Sequence, residues 1–254
     1  MSSILSSMSS QTTAEWCILF ITALFIGMSK TGFQGINMLM IPVMAVVFGA
    51  KPSTGVILPM LCFSDLLAVW YYRRQAQWIY IFKLLPYALT GFILAIIADR
   101  FVPPAEFKRL LASCLLIGIG VMLWSEFAGK KASLPVSRWW YSPAFGLMGG
   151  FTTMIGNAAG PVMSIYMLSV RLPKLTFVGT SAWFFLVINY LKLPIQIWAW
   201  HNITPATLIL NLYTIPFMIA GAVIGILLVR KLPEKGFRTV VTIITILSSL
   251  ILFL

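Results

Sequence analysis

Long apolar runs, separated by short polar or glycine-rich interruptions, set the pattern of this chain. Trp16–Met28 leads into Ser29-Lys30-Thr31-Gly32-Phe33-Gln34-Gly35, and Ile36–Phe48, Thr54–Tyr72, Trp78–Ala98 and Phe107–Trp124 follow. After the polar stretch Glu126–Arg138 come Trp140–Ile155, a second break at Gly156-Asn157-Ala158-Ala159-Gly160, and Pro161–Val170. Leu175–Trp200, Pro205–Val229 and Phe237–Leu254 complete the series. A helix needs about 20 apolar residues to cross a bilayer core, and three runs in each half approach that length. The runs flanking each break are shorter, which predicts half-helices meeting at a break or short helices sheltered inside a bundle. Pro59, Pro86, Pro194 and Pro216 interrupt apolar runs and predict kinks.

The two halves resemble each other. Pro86-Tyr-Ala-Leu-Thr-Gly91 aligns with Pro216-Phe-Met-Ile-Ala-Gly221, and Arg100, Pro103 and Phe107 then fall without a gap on Arg230, Pro233 and Phe237. Pro42-Val43-Met44 matches Pro161-Val162-Met163 at a slightly different offset. This ungapped correspondence points to an internal duplication. The organisation expected is a tail (1–15), a first transmembrane repeat (16–125), a central linker (126–138) and a second repeat (139–254). The fold class expected is all-α, a polytopic helical membrane protein of two inverted repeats, each with a broken helix pair plus three transmembrane helices. An odd number of crossings per repeat forces the inversion. Basic residues at 73–74, 130–138, 171–174 and 230–238 would share the cytoplasmic side, with both termini outside.

Composition agrees with a lipid environment. The 254 residues are 60% hydrophobic and only 9% charged, too few charges for the surface of a soluble domain. Lys and Arg number 18 against 6 Asp and Glu, for a formal charge of +12, yet the cations mostly sit between apolar runs, where they signal topology rather than nucleic-acid binding. Cys17, Cys62 and Cys114 lie far apart in apolar segments and suit packing. Trp78, Trp139, Trp140, Trp198 and Trp200 at segment ends suit interfacial anchoring. Gly146/Gly150, Gly156/Gly160 and Gly221/Gly225 permit close helix approach. The Ser/Thr-rich start has no basic residue before the first apolar run, so a cleaved signal peptide is not expected.

Polar groups at membrane depth mark candidate chemistry, because leaving them unpaired in hydrocarbon is costly. Lys30, Gln34 and Asn37 cluster at the first break, and Thr153 and Asn157 at the second. Thr180, Ser181, Asn189 and Lys192 lie in the long run that follows. Asp65 sits inside an apolar core segment and is open to three roles: counter-ion of a lysine, proton carrier for coupling, or structural acceptor. A helix that restarts after a break presents free N–H groups and partial positive charge to the gap. With one or two lysines added, the expected ligand is a small anion. A single histidine, His201, and the absence of HExxH, GxSxG and P-loop motifs leave no enzyme site, no metal site and no expected cofactor. Expected partners are a small anionic substrate and membrane lipid, with no nucleic acid; homodimerisation stays open.

The order of these features resembles the TauE/SafE family of sulfite exporters and organosulfonate transporters. The resemblance rests on the doubled Arg-x-x-Pro-x-x-x-Phe ending (Arg100–Phe107 and Arg230–Phe237), the glycine-rich break after the first run, and Gly179-Thr180-Ser181 followed by Asn189 and Lys192. It implies transport of sulfite, a sulfonate such as sulfoacetate, or a related small anion across a bacterial inner membrane. Ser29-Lys30-Thr31 stands where small residues are common in the family, which implies an asymmetric site involving Lys30. An anion channel using the same residues and a non-transporting membrane assembly protein are the competing readings.

Overall fold

The computed structural model describes residues 12–98 and 138–253. The apolar run Phe107–Trp124, the Arg100–Phe107 motif, Cys114 and nearly all of the central linker lie outside the described residues, as does most of the N-terminal tail. Nine α-helices and no strand occur among the described residues. The first half holds α1 (Thr13–Thr31), a 3-10 turn (Ile36–Leu39), α2 (Met40–Phe48), α3 (Ala50–Tyr72) and α4 (Trp78–Ala98). The second holds α5 (Tyr141–Gly156), α6 (Ala159–Ser169), α7 (Lys174–Pro194), α8 (Pro205–Lys231) and α9 (Glu234–Phe253). Helices at 13–31, 52–72, 78–98, 174–199 and 205–231 are long and apolar enough to cross a membrane.

Sequence chemistry accounts for several ends. Thr12 and Glu15 form a capping box at the start of α1. Thr204 with Thr207 does the same for α8, where Pro205 occupies the first turn. The first break is shorter than the glycine pattern suggests, because Ser29, Lys30 and Thr31 continue α1 and only 32–35 leave the helix. Gly35 has φ 97°, a left-handed conformation natural to glycine. The second break narrows to Asn157, which ends α5 at φ 55°, and Ala158. Pro59, Pro86 and Pro216 stand within continuous α-helices. After Pro194 the backbone relaxes into a π-turn, Ile195–Ala199.

Close helix approaches show how the repeats relate. Trp16 meets Tyr213 and Phe20 stacks on Phe217. Further along, Gly27 abuts Met218 and Gly221 abuts Leu24. The residue numbers rise together, so α1 and α8 run parallel. In the same way Gly146 lies on Leu84, Gly150 on Ala88 and Gly91 on Leu147, which makes α4 and α5 parallel. Gly91 and Gly221, matched by the duplication, thus meet Leu147 and Leu24, and Gly150 and Gly27 meet the matched pair Ala88 and Met218. The small residues allow backbone-to-backbone contact at each position.

The central pair, α3 and α7, behaves differently. Gly55 packs against Asn202, Asp65 bonds Asn189, and Gly179 packs against Tyr72. Numbers rise on one helix as they fall on the other, so these helices are antiparallel. They are also each other's repeat equivalents, and equivalent helices that run in opposite directions make the repeats inverted about a pseudo-two-fold axis. Asp65 is separated from Asn189 by the same offset that separates Gly55 from Gly179. Equivalent residues touch each other only on a two-fold axis, so the Asp65–Asn189 contact marks that axis.

The same geometry sorts the charges. The C-terminal ends of α3 and α8 and the N-terminal ends of α4, α5, α7 and α9 lie together, gathering Arg73, Arg74, Arg138, Arg171, Lys174, Arg230, Lys231, Lys235 and Arg238. Direct contacts tie this end: the Lys174 ammonium donates to the carbonyls of Val229 and Leu232. The Arg238 guanidinium donates to Leu168 and Leu172. Arg230 lies 5.4 Å from the Tyr71 ring centre.

Candidate functional site

Both backbone breaks converge on the axis. A Cβ at Gly160 would lie 2.9 Å from the Gly35 nitrogen, so two glycines let the breaks touch. Around this point lies a cavity of about 290 Å³, part of it shared with its opening, lined by Ser29, Lys30, Gln34, Gly35, Asn37, Leu61, Thr153, Asn157, Gly160, Phe185 and Asn189.

Lys30 occupies the last turn of α1 and is buried. Its ammonium lies 2.8 Å from Asp65 Oδ1 and 4.0 Å from the centre of the Phe185 ring. The ring face adds attraction for a cation. Asp65, with no exposed surface, also accepts from Asn189 Nδ2 at 2.6 Å. A buried carboxylate is tolerable here because an ammonium faces one oxygen and an amide donates to the other.

Lys192 is equally buried and holds the second break. Its ammonium donates to the Thr153 carbonyl and to Asn157 Oδ1, with the Thr153 hydroxyl at 3.5 Å. Thr153 lies in the last turn of α5, where the helix end carries partial negative charge, and its carbonyl also accepts from the Asn157 N–H at 3.0 Å. Lys30 ends α1 from within, and Lys192 reaches the equivalent end of α5 from α7. Each broken helix therefore meets the axis with a lysine at its C-terminal end, one supplied in cis and one in trans. With its oxygen engaged by Lys192, Asn157 has its NH2 left for a ligand.

Of the residues singled out in the sequence, Lys30, Gln34, Asn37, Thr153, Asn157 and Asn189 line the cavity. Asp65 and Lys192 stand directly behind it, bonded to lining residues. Thr180 and Ser181 are not among the lining residues; the Thr180 hydroxyl instead accepts from the Gln77 N–H at 3.0 Å, fastening the α3–α4 connection. Gln34 Oε1 and Asn189 Oδ1 are buried acceptors without a protein partner. Ser29 orients Asn37 through a 2.9 Å bond. Phe185 and Leu61 were not foreseen, although each stands one helical turn before a singled-out residue, Asn189 and Asp65 respectively, and so shares its face.

Two inverted repeats enclosing a charged, polar cavity on their pseudo-two-fold axis define the class: a multi-pass helical membrane protein built like a secondary transporter. The family model described as sulfite exporter TauE/SafE matches residues 19–252, and the chain belongs to that family of membrane transporters. No curated protein and no solved structure matches it.

Proposed function

We propose that this protein exports a small sulfur oxyanion or organosulfonate across a bacterial inner membrane by alternating access. The observation that carries the reading is the meeting of both breaks at the axis, with Lys30 lining the cavity they share. There the cavity offers an ammonium, the Asn157 amide and the first amides of α6, which have no partner within their helix. An oxyanion is the ligand such donors suit. Inverted repeats can exchange conformations about a fixed central site, so access alternates while the anion stays at the axis. The basic end is assigned to the cytoplasm by the excess of Lys and Arg there.

Proteoliposome exchange tests this. A carrier loaded with sulfite or methanesulfonate shows saturable efflux that accelerates when anion is present on the opposite side. Continuous, unsaturated current would instead identify a channel, and no flux of any sulfur anion would refute transport of this class.

A further inference from the structure

Among the residues whose side chains are described, Lys30, Asp65 and Lys192 are the only charged ones that are buried. Two ammonium groups against one carboxylate leave a single positive charge at the axis. Geometry supports that count. Three oxygens surround the Lys192 nitrogen: the Thr153 carbonyl, Asn157 Oδ1 and the Thr153 hydroxyl. Two of them, the carbonyl and the amide oxygen, only accept and lie closest to the nitrogen, the short-contact pattern of charge-assisted hydrogen bonds from an ammonium. Lys30 faces a carboxylate at 2.8 Å and an aromatic ring at 4.0 Å, both of which favour a cation. Asp65 in turn has an ammonium against one oxygen and an amide donor on the other, surroundings that favour an ionised carboxylate.

On the anion-transport reading above, we infer that the cargo is a singly charged anion, an alkylsulfonate or hydrogen sulfite, and that the site rejects doubly charged oxyanions of the same shape. A monoanion brings the buried charge to zero. A dianion leaves one negative charge uncompensated inside the bundle, a strongly disfavoured arrangement. Asp65 is then the residue that sets the charge preference: it halves the positive charge that two lysines would otherwise offer. Asn189, which holds its other oxygen, keeps the carboxylate in place when a ligand draws on Lys30.

The test is calorimetric binding to the full-length protein in detergent, with methanesulfonate and sulfate as probes. Both have tetrahedral heads and fixed charges near neutral pH. In the wild type, methanesulfonate binds tighter by roughly tenfold or more, a difference calorimetry resolves easily. Asp65→Asn preserves shape and its contact with Asn189 while adding one positive charge, so the preference moves toward sulfate by roughly tenfold. Equal or tighter sulfate binding in the wild type overturns the charge count, as does an unchanged preference in folded Asp65→Asn. The wild-type comparison decides the matter even if the variant does not fold. Sulfate-preferring binding that still requires Lys30 leaves the transport reading standing and removes this inference alone; failure of both anions to bind removes both.

Discussion

Replacing Lys30 by Met tests the ion pair on which the site is built. Methionine keeps an unbranched chain beside Phe185 but removes the ammonium. Asp65, which has 0% exposure, then loses its partner at 2.8 Å and retains only the Asn189 amide at 2.6 Å. Removing one partner of a buried pair costs about 3–5 kcal/mol, because the other charge is stranded. For a chain of this size each kcal/mol lowers Tm by roughly 2–4 °C, so the expected fall is roughly 6–20 °C. Asp65→Asn in the Lys30→Met background removes the stranded charge and leaves a neutral amide, whose burial beside Asn189 costs far less than that of an unpaired carboxylate. The double variant therefore recovers most of the loss, with a coupling of about 2–3 kcal/mol between the two positions. Thermal and denaturant unfolding of wild type, both single variants and the double variant in one detergent measures this directly. A Lys30→Met variant as stable as wild type, or additive effects, would refute the reasoning.

Other expectations follow from the same geometry. Gly91→Leu and Gly221→Leu each drive a side chain into the backbone of the facing helix, at Leu147 and Leu24, and each is expected to destabilise by about 1–3 kcal/mol or more in unfolding assays. Gly156→Ala, whose Cβ would meet only the Ala158 side chain at 3.9 Å, should change stability by less than about 0.5 kcal/mol. Impermeant thiol reagents should label cysteines placed at Thr12 and on a C-terminal extension from outside the cell, since the start of α1 and the end of α9 lie opposite the basic end. Labelling from the cytoplasm alone would reverse the orientation. An inside-negative potential should speed net efflux of a monoanion from proteoliposomes, because the unloaded site returns with one positive charge; a rate indifferent to voltage would contradict that charge.

Much of the architecture was legible in the residues because lipid imposes long apolar runs and because the duplication repeats its glycines in step. The inversion was an inference from an odd count of crossings, and the antiparallel course of α3 against α7 gives it physical form. Break positions were legible, but their extents were not: glycine marks where a helix can end, and Ser29-Lys30-Thr31 still gains helical hydrogen bonds before Gly32. Asp65 was open to three roles in the sequence, and its position between Lys30 and Asn189 depends on a helix crossing that no local pattern encodes. The equal spacing of Gly55–Gly179 and Asp65–Asn189 was the available signal for that contact. Thr180 looked like a ligand because it stands near Asn189 in an apolar run, yet its hydroxyl is engaged by the Gln77 amide 103 residues away in sequence. Phe185 was hidden for the opposite reason, since one aromatic in an apolar helix is indistinguishable from core until a cation is found on its face.

The central claim is that an anion binds at the axis through Lys30. Lys30→Met/Asp65→Asn, the pair expected to fold without a buried charge at this position, isolates that claim from stability. Calorimetric titration of methanesulfonate and sulfite into wild type and this double variant is the direct measurement. Loss of one charge-assisted hydrogen bond, about 1.5–3 kcal/mol, lowers affinity by roughly ten- to a hundredfold. That loss in a folded variant is what the site predicts; binding by the double variant with wild-type affinity would place the anion elsewhere and contradict it.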